Sequence, residues 1–218
     1  MIVKRVFALH RPPVDPAAYS ALLSRAVSGD VLLRRGRGIA SSSIVWFLHD
    51  GSGCSHCALL VSRDDFKLTG CRIPEERIGF GETSCDIRHA RLLVIQSVAA
   101  GLSGVDGVQI QTLEGFLRYS VPGSTLLYRP VMDNVTRNHV VAAAAAALEQ
   151  GIPFDHRYGF DNPGAVYCTG LLFRIFKQAG WEGNSCWQRK HGILTFSSFL
   201  HSPQYRRIYP PAGSSERG

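Results

Sequence analysis

The sequence predicts an α+β fold in a single domain spanning residues 1–218, and three observations carry that expectation. Short apolar runs at 30–33, 56–61, 91–98 and 125–129 have strand length and are bounded by loop residues. Two longer stretches, 15–29 and 134–151, carry helix punctuation at both ends. No repeat or internal linker divides the chain, and 218 residues with 45% apolar content suffice for one core with embellishments.

Taken in order, residues 1–28 hold an N-terminal helix: Asp15 caps it, Pro16 occupies the first turn, and Ser28-Gly29 closes the run 17–27. Asp30-Val31-Leu32-Leu33 is a short buried strand. Residues 41–48 form a helix with Ile44, Val45, Phe47 and Leu48 as its apolar side, followed by the loop Asp50-Gly51-Ser52-Gly53. The strand at 56–61 places His56, Ala58 and Leu60 on one face. Residues 63–90 are polar and glycine-bearing and read as a long hairpin or excursion. The strand at 91–98 is central, apolar on both faces except at Gln96 and Ser97. A short helix or turn at 112–119 and a strand at 125–129 follow. Asn134 caps a packing helix that runs through the alanines at 142–147 to Gly151. Asn162-Pro163-Gly164 breaks the chain before a helix opening at Cys168, whose buried stripe is Leu171, Leu172, Ile175 and Phe176. Residues 196–200 form a last short helix, and 210–218 a flexible, frayed tail.

The net charge of +7 favours anionic partners such as acidic lipid, nucleic acid or a cell-wall polymer. The basic residues are scattered, however, and no basic–aromatic pattern marks a nucleic-acid binder. Arg34, Arg35 and Arg37 form the tightest group, read as a solvated edge with an anionic-substrate contact as the alternative. Charge interrupts the first ten residues at Lys4-Arg5, so no secretory signal is read. No apolar run reaches the roughly 18 residues of a spanning helix. The expectation is a protein without a transmembrane segment, cytoplasmic by default or exported by a signal-independent route, with its six cysteines reduced.

The chemistry-bearing residues are far apart in the chain. His56 opens a buried strand, and Cys168 stands at the first turn of an amphipathic helix. A helix N-terminus stabilises a thiolate, and a neighbouring imidazole can hold its proton. Gln96 is the candidate third group, because a lone amide in an apolar strand can accept the ring N–H and fix the tautomer. Each residue has a plainer reading: Cys168 as a small buried hydrophobe, His56 as a satisfied strand-end histidine, Gln96 as the point where its strand leaves the core. Tyr158 and Tyr167 offer hydroxyls near an oxyanion, with aromatic packing as the alternative.

An ordered set of motifs over residues 28–207 resembles the circularly permuted papain-like cysteine hydrolases of the YiiX/YaeF kind, in the NlpC-related superfamily. These motifs are Gly29-Asp30-Val31-Leu32-Leu33, Ser55-His56-Cys57-Ala58-Leu59-Leu60-Val61, Val94-Ile95-Gln96-Ser97-Val98, Phe154-Asp155 with Tyr167-Cys168-Thr169-Gly170-Leu171-Leu172, and Ile193-Leu194-Thr195-Phe196 with His201-Ser202-Pro203. The resemblance implies a permuted papain-like (NlpC-type) fold, with an antiparallel sheet carrying His56 and Gln96 packed against the Cys168 helix. It implies Cys168 as nucleophile, His56 as base and Gln96 as orienting residue. Tyr167, Thr169 and Tyr158 would stand around the oxyanion and substrate pocket. The implied reaction is amide hydrolysis through a thioester, first on peptide or cell-wall peptide, then on another acyl-amide, with no cofactor and no metal. This sequence departs from the family at Gln96, where an acid is commoner, at Thr169-Gly170 in place of Ser-Glu, and at Cys54 and Cys57.

Two other readings stand beside the hydrolase. One is an acyltransferase or lipid hydrolase of the lecithin retinol acyltransferase type, whose "NCEH" block is absent from Tyr167-Cys168-Thr169-Gly170. The other is a catalytically degenerate domain that only binds a ligand. The Cys54-x-x-Cys57 pair admits structural zinc with Cys71, Cys85 or His89, though one such pair with loose spacings favours incidental cysteines.

Overall fold

The computed structural model describes residues 13–159 and 162–211. The first described helix, α1 (Pro16–Arg25), begins as its punctuation requires: the Asp15 carboxylate accepts from Ala17 N and Ala18 N, and Pro16 needs no donor there. Residues 1–12 and 212–218, parts of the expected N-terminal segment and tail, lie outside the described residues.

Six strands form one antiparallel sheet in the order β4-β3-β2-β1-β5-β8. They are β1 (Val31–Arg34), β2 (His56–Ser62), β3 (Leu92–Val98), β4 (Gly107–Thr112), β5 (Leu126–Pro130) and β8 (Tyr205–Tyr209). β6 (Arg189–Lys190) and β7 (Ile193–Leu194) make a separate two-stranded ribbon. β2 and β3, which carry His56 and Gln96, are neighbours inside the larger sheet, and Leu60 pairs with Val94.

Helices cover both faces of this sheet. On one face Val31, Leu33, Cys57, Leu59, Val61, Leu93 and Ile95 pack with α7 (Asn134–Gln150) and α8 (Cys168–Gln178). On the other Leu32, Ala58, Leu60, Leu92 and Val94 pack with Leu22 of α1 and with Leu113, Phe116 and Leu117 of α6 (Leu113–Arg118). Alternation along each strand divides these two cores. The Gly29-Asp30 pair that opens β1 has a structural explanation. Gly29 takes φ +86°, and the fully buried Asp30 carboxylate receives both Nε and Nη2 of Arg129 at 2.8 Å.

Several elements differ from expectation. Residues 63–90 form no hairpin; they carry α3 (Arg63–Leu68), a 3₁₀ turn (Glu75–Arg77) and α4 (Ser84–His89). Their polar residues are caps: Ser62 accepts from Asp65 N, and Thr83 makes a capping box with Asp86. Asp133, not Asn134, caps α7, through Thr136 N. β4 and β8 were not foreseen. β4 conceals its strand character in buried Gln109 and Gln111, and β8 is an edge strand with two arginines. Between β3 and β4 lies the one-turn α5 (Ala100–Ser103), and α9 (Ser197–Leu200) precedes β8. The helix expected at 41–48 is α2 (Ile39–Leu48); Leu48 is buried, whereas Trp46 and Phe47 are 80% and 49% exposed.

Candidate active site

Cys168 is the first residue of α8, after Tyr167 at the N-cap, and no side chain caps the helix. The first-turn N–H groups thus keep their positive end directed at the sulfur side. The stripe Leu171, Leu172, Ile175 and Phe176 fixes α8 against the core that contains Cys57. The approach to Cys168 is pinned as well. Ser97 on β3 donates to Val166 O at 2.7 Å, and the buried Asp155 accepts from Arg157 N and Gly159 N, holding Tyr158 at φ +54°.

His56 is half-buried at the start of β2, with its ring 6.1 Å from that of Phe116. Alternation from the Leu60–Val94 pair puts His56 and Gln96 on the same sheet face, and their Nε2 and Oε1 atoms are 2.6 Å apart. An amide oxygen only accepts, so Nε2 carries the ring proton and Nδ1 is left as the basic nitrogen. Gln96 is fully buried, and its Nε2 has no hydrogen-bond partner.

The Cys168 thiol is held well below the usual thiol range. Hydrogen bonding from the Cys57 thiol is the largest cause, opposed by burial and reinforced by hydrogen bonding to His56 and by its charge. Cys57 itself is fully buried and pushed well up, by desolvation first and then by its bond to Cys168. The two neighbouring thiols are thus pushed in opposite directions, Cys57 up and Cys168 down. Sequence reasoning left Cys57 as incidental or zinc-related; the signal that places it here is its position next to His56 on a strand that α8 crosses.

Arg34 is the second residue whose role the sequence concealed. Arg35 and Arg37 are exposed as expected, but Arg34 is 5% exposed, which corrects the solvated-edge reading for that residue. It ends β1 opposite His56 and lies over the Phe116 ring at 4.2 Å, with Nη1 donating to Phe116 O at 2.6 Å. Burial pulls its pKa down to about 9, against the opposing pull of the Cys168 charge, so it is a cation at neutral pH.

Tyr158, Tyr167 and Thr169 line a cavity that Cys168 also lines. Tyr167 Oη accepts from Leu194 N at 3.1 Å, and Thr169 Oγ1 donates to Leu194 O at 3.0 Å, so both hydroxyls tie α8 to β7. Tyr158 stands at the junction of two cavities that meet at Cys168. Gly170 faces the Tyr167 ring, from which a Cβ would be 3.2 Å away. Cys54, with its thiol pushed up to about 12 by burial, contacts Ser52 O, while Cys85 pairs with His89 along α4.

No protein-family model and no curated protein matches this sequence. The fold is similar to that of YiiX from Escherichia coli O157:H7, whose crystal structure is described as that of a metalloprotein. The likeness has a TM-score of 0.59 and covers 84% of this chain and 96% of that one, at 14% identity. It is a likeness of fold: mixed α and β, an antiparallel sheet packed against helices. Among the described residues no group of three His, Cys, Asp or Glu side chains is placed to share a metal, so the donor set for one is missing there.

Proposed function

We propose that the chain is a thiol-dependent amide hydrolase of the permuted papain-like kind, with Cys168 as nucleophile, His56 as base and Gln96 as the residue that orients the ring. The observation that carries this reading is that Cys168, at a helix N-terminus, and His56, whose ring is bound at 2.6 Å by Gln96, line one cavity, with the Cys57 thiol and His56 both lowering the Cys168 pKa. Perturbed thiols beside a base in a cleft are the arrangement nucleophilic catalysis needs. The YiiX-like fold is consistent with it.

In the proposed reaction the thiolate attacks the substrate carbonyl carbon and a C–S bond forms. The oxyanion receives the Cys168 backbone N–H, a contact typically worth about 3 kcal/mol of barrier. His56 Nδ1 holds the proton taken from the Cys168 thiol, and the C–N bond breaks as it gives that proton to the departing amine. Water, deprotonated by the same nitrogen, then hydrolyses the thioester and restores the thiol. Gln96 orients the ring, but its neutral amide adds no charge to stabilise imidazolium. No helix among the described residues is long and apolar enough to cross a membrane.

Competitive alkylation with substoichiometric iodoacetamide at pH 6, followed by peptide mapping, tests the reading. Cys168 is expected to be labelled well ahead of the other five cysteines; equal labelling contradicts it.

A further inference from the structure

Among the described residues nine large apolar side chains are exposed, and five of them gather in one place. Ile39, Trp46 and Phe47 of α2, Leu102 of α5 and Tyr158 line the two cavities that meet at Cys168 or the hollow beside them. Exposed apolar residues scattered singly are ordinary, whereas a group around the mouth of a cleft marks an interaction surface.

Helix α2 is apolar on two sides. Inward, Ile44 and Leu48 line the larger cavity, and Leu48 is buried. Outward, Ile39 and Trp46 stand two turns apart on one face, 87% and 80% exposed, and share a hollow with Ser42 and Ser43. A helix that is apolar on opposite sides is normally covered on both, and here the outer side has no cover within the described chain. With ten residues α2 is about 15 Å long, half the thickness of a bilayer core, so it can lie along a lipid surface but not cross it.

Cations ring the same side. Arg35 Nη2 donates to Ser42 Oγ at 3.5 Å, and Arg37 stands just before α2; both are exposed. At the other end of the helix Lys190 Nζ donates to His49 O at 3.0 Å, beside His191, whose ring centroid is 5.2 Å from that of Phe47. The exposed Arg157 lines the cavity that Trp46 and Phe47 border. No acidic residue among those described lines any of the three openings. Asp50, the acid nearest to α2 in sequence, has its carboxylate engaged by Ser52 and by the backbone N–H groups of Phe196 and Ser197. A soluble polyanion would pair with the cations and leave Ile39 and Trp46 in water. An anionic lipid surface satisfies both, with hydrocarbon directly beneath its phosphates.

We propose that this face docks on an anionic lipid bilayer. Ile39 and Trp46 enter the boundary between headgroups and acyl chains. Arg35, Arg37, Arg157 and Lys190 meet the phosphates, and the openings to Cys168 face the membrane. The docking asks nothing of the Cys168 sulfur, so it stands or falls separately from the hydrolase reading.

The full chain is sedimented with vesicles of phosphatidylcholine alone or mixed with phosphatidylserine, at low and high salt. Binding is expected on the acidic vesicles and is expected to weaken as salt screens the cations. Trp181 and Trp187 are buried, so quenching of tryptophan fluorescence by brominated lipid reports on Trp46. Trp46→Ala is expected to weaken vesicle binding by at least about tenfold, the scale of returning a large apolar side chain to water. Arg35→Gln combined with Arg157→Gln is expected to weaken it about thirtyfold, roughly fivefold for each cation at the surface. If Trp46→Ala does not fold, quenching in the wild-type protein decides alone. No binding to acidic vesicles at low salt, equal binding to neutral ones, or undiminished binding by folded Trp46→Ala overturns the proposal. So does sedimentation without quenching, which would reduce the contact to charge attraction that any polyanion could supply.

Discussion

Replacing Cys57 by Ala tests whether the Cys168 thiolate is made by its neighbour. The Cys57 thiol is the largest single cause of the depressed Cys168 pKa. Hydrogen bonds to charged groups contribute about 1.5–3 kcal/mol, and a thiol is a weak donor, so the lower bound applies. At about 1.4 kcal/mol per unit, the pKa of Cys168 should rise by roughly one unit. The sign follows: below both values the thiolate fraction falls about tenfold, and above both it is unchanged. A more basic thiolate is intrinsically about threefold more nucleophilic, so the net rate below both values falls about threefold while the alkaline plateau rises about threefold. The assay is stopped-flow reaction with a chromogenic pyridyl disulfide from pH 4 to 10, with Cys71, Cys85 and Cys186 replaced by Ser. Cys54 and Cys57 are buried and held protonated. A urea titration in parallel reports the roughly 1 kcal/mol cost of the small cavity separately. An unchanged midpoint and plateau would refute the argument, because they would mean that the Cys57 proton does not stabilise the thiolate.

Three further outcomes are expected. His56→Ala should slow alkylation of Cys168 at neutral pH, since it removes both a hydrogen bond and a charge that favour the thiolate; an unchanged rate would remove His56 from its role. Gln96→Glu should keep or raise activity, because a carboxylate can accept the same ring N–H and the Gln96 Nε2 has no partner to lose; complete loss would mean that Gln96 contacts substrate. Asp30→Ala should lower stability by about 2–3 kcal/mol, by removing the two charge-assisted hydrogen bonds from Arg129; a chemical-denaturation change below about 1 kcal/mol would contradict that reading.

Most of the sheet was legible because strands buried on both faces read as unbroken apolar runs, as 91–98 and 56–61 do. The Cys168 helix was legible from its stripe, and the Asp15-Pro16 start from its cap chemistry. β4 was not, because Gln109 belongs to a strand only through partners elsewhere: its Nε2 bonds to Ser103 Oγ and Val105 O. The turns of α3 and α4 were concealed for a related reason, since cap residues and loop residues are the same residue types. Within the site, His56, Gln96 and Cys168 were readable as residue types in context. Cys57 and Arg34 were not. Cys57 stands out only because its strand face meets a helix from more than a hundred residues away, and Arg34 only because it meets Phe116, 82 residues on; the neighbouring arginines at 35 and 37 are ordinary surface groups.

The central claim is that the Cys168 sulfur, served by His56, takes an acyl group from its substrate. The protein is mixed with an activated p-nitrophenyl acyl ester, quenched in acid within seconds and mapped by mass spectrometry. A hydroxylamine-sensitive acyl increment on the peptide containing Cys168, much reduced in His56→Ala, is the expected result. An increment on the exposed Cys85 instead, or none at all on Cys168, would contradict it.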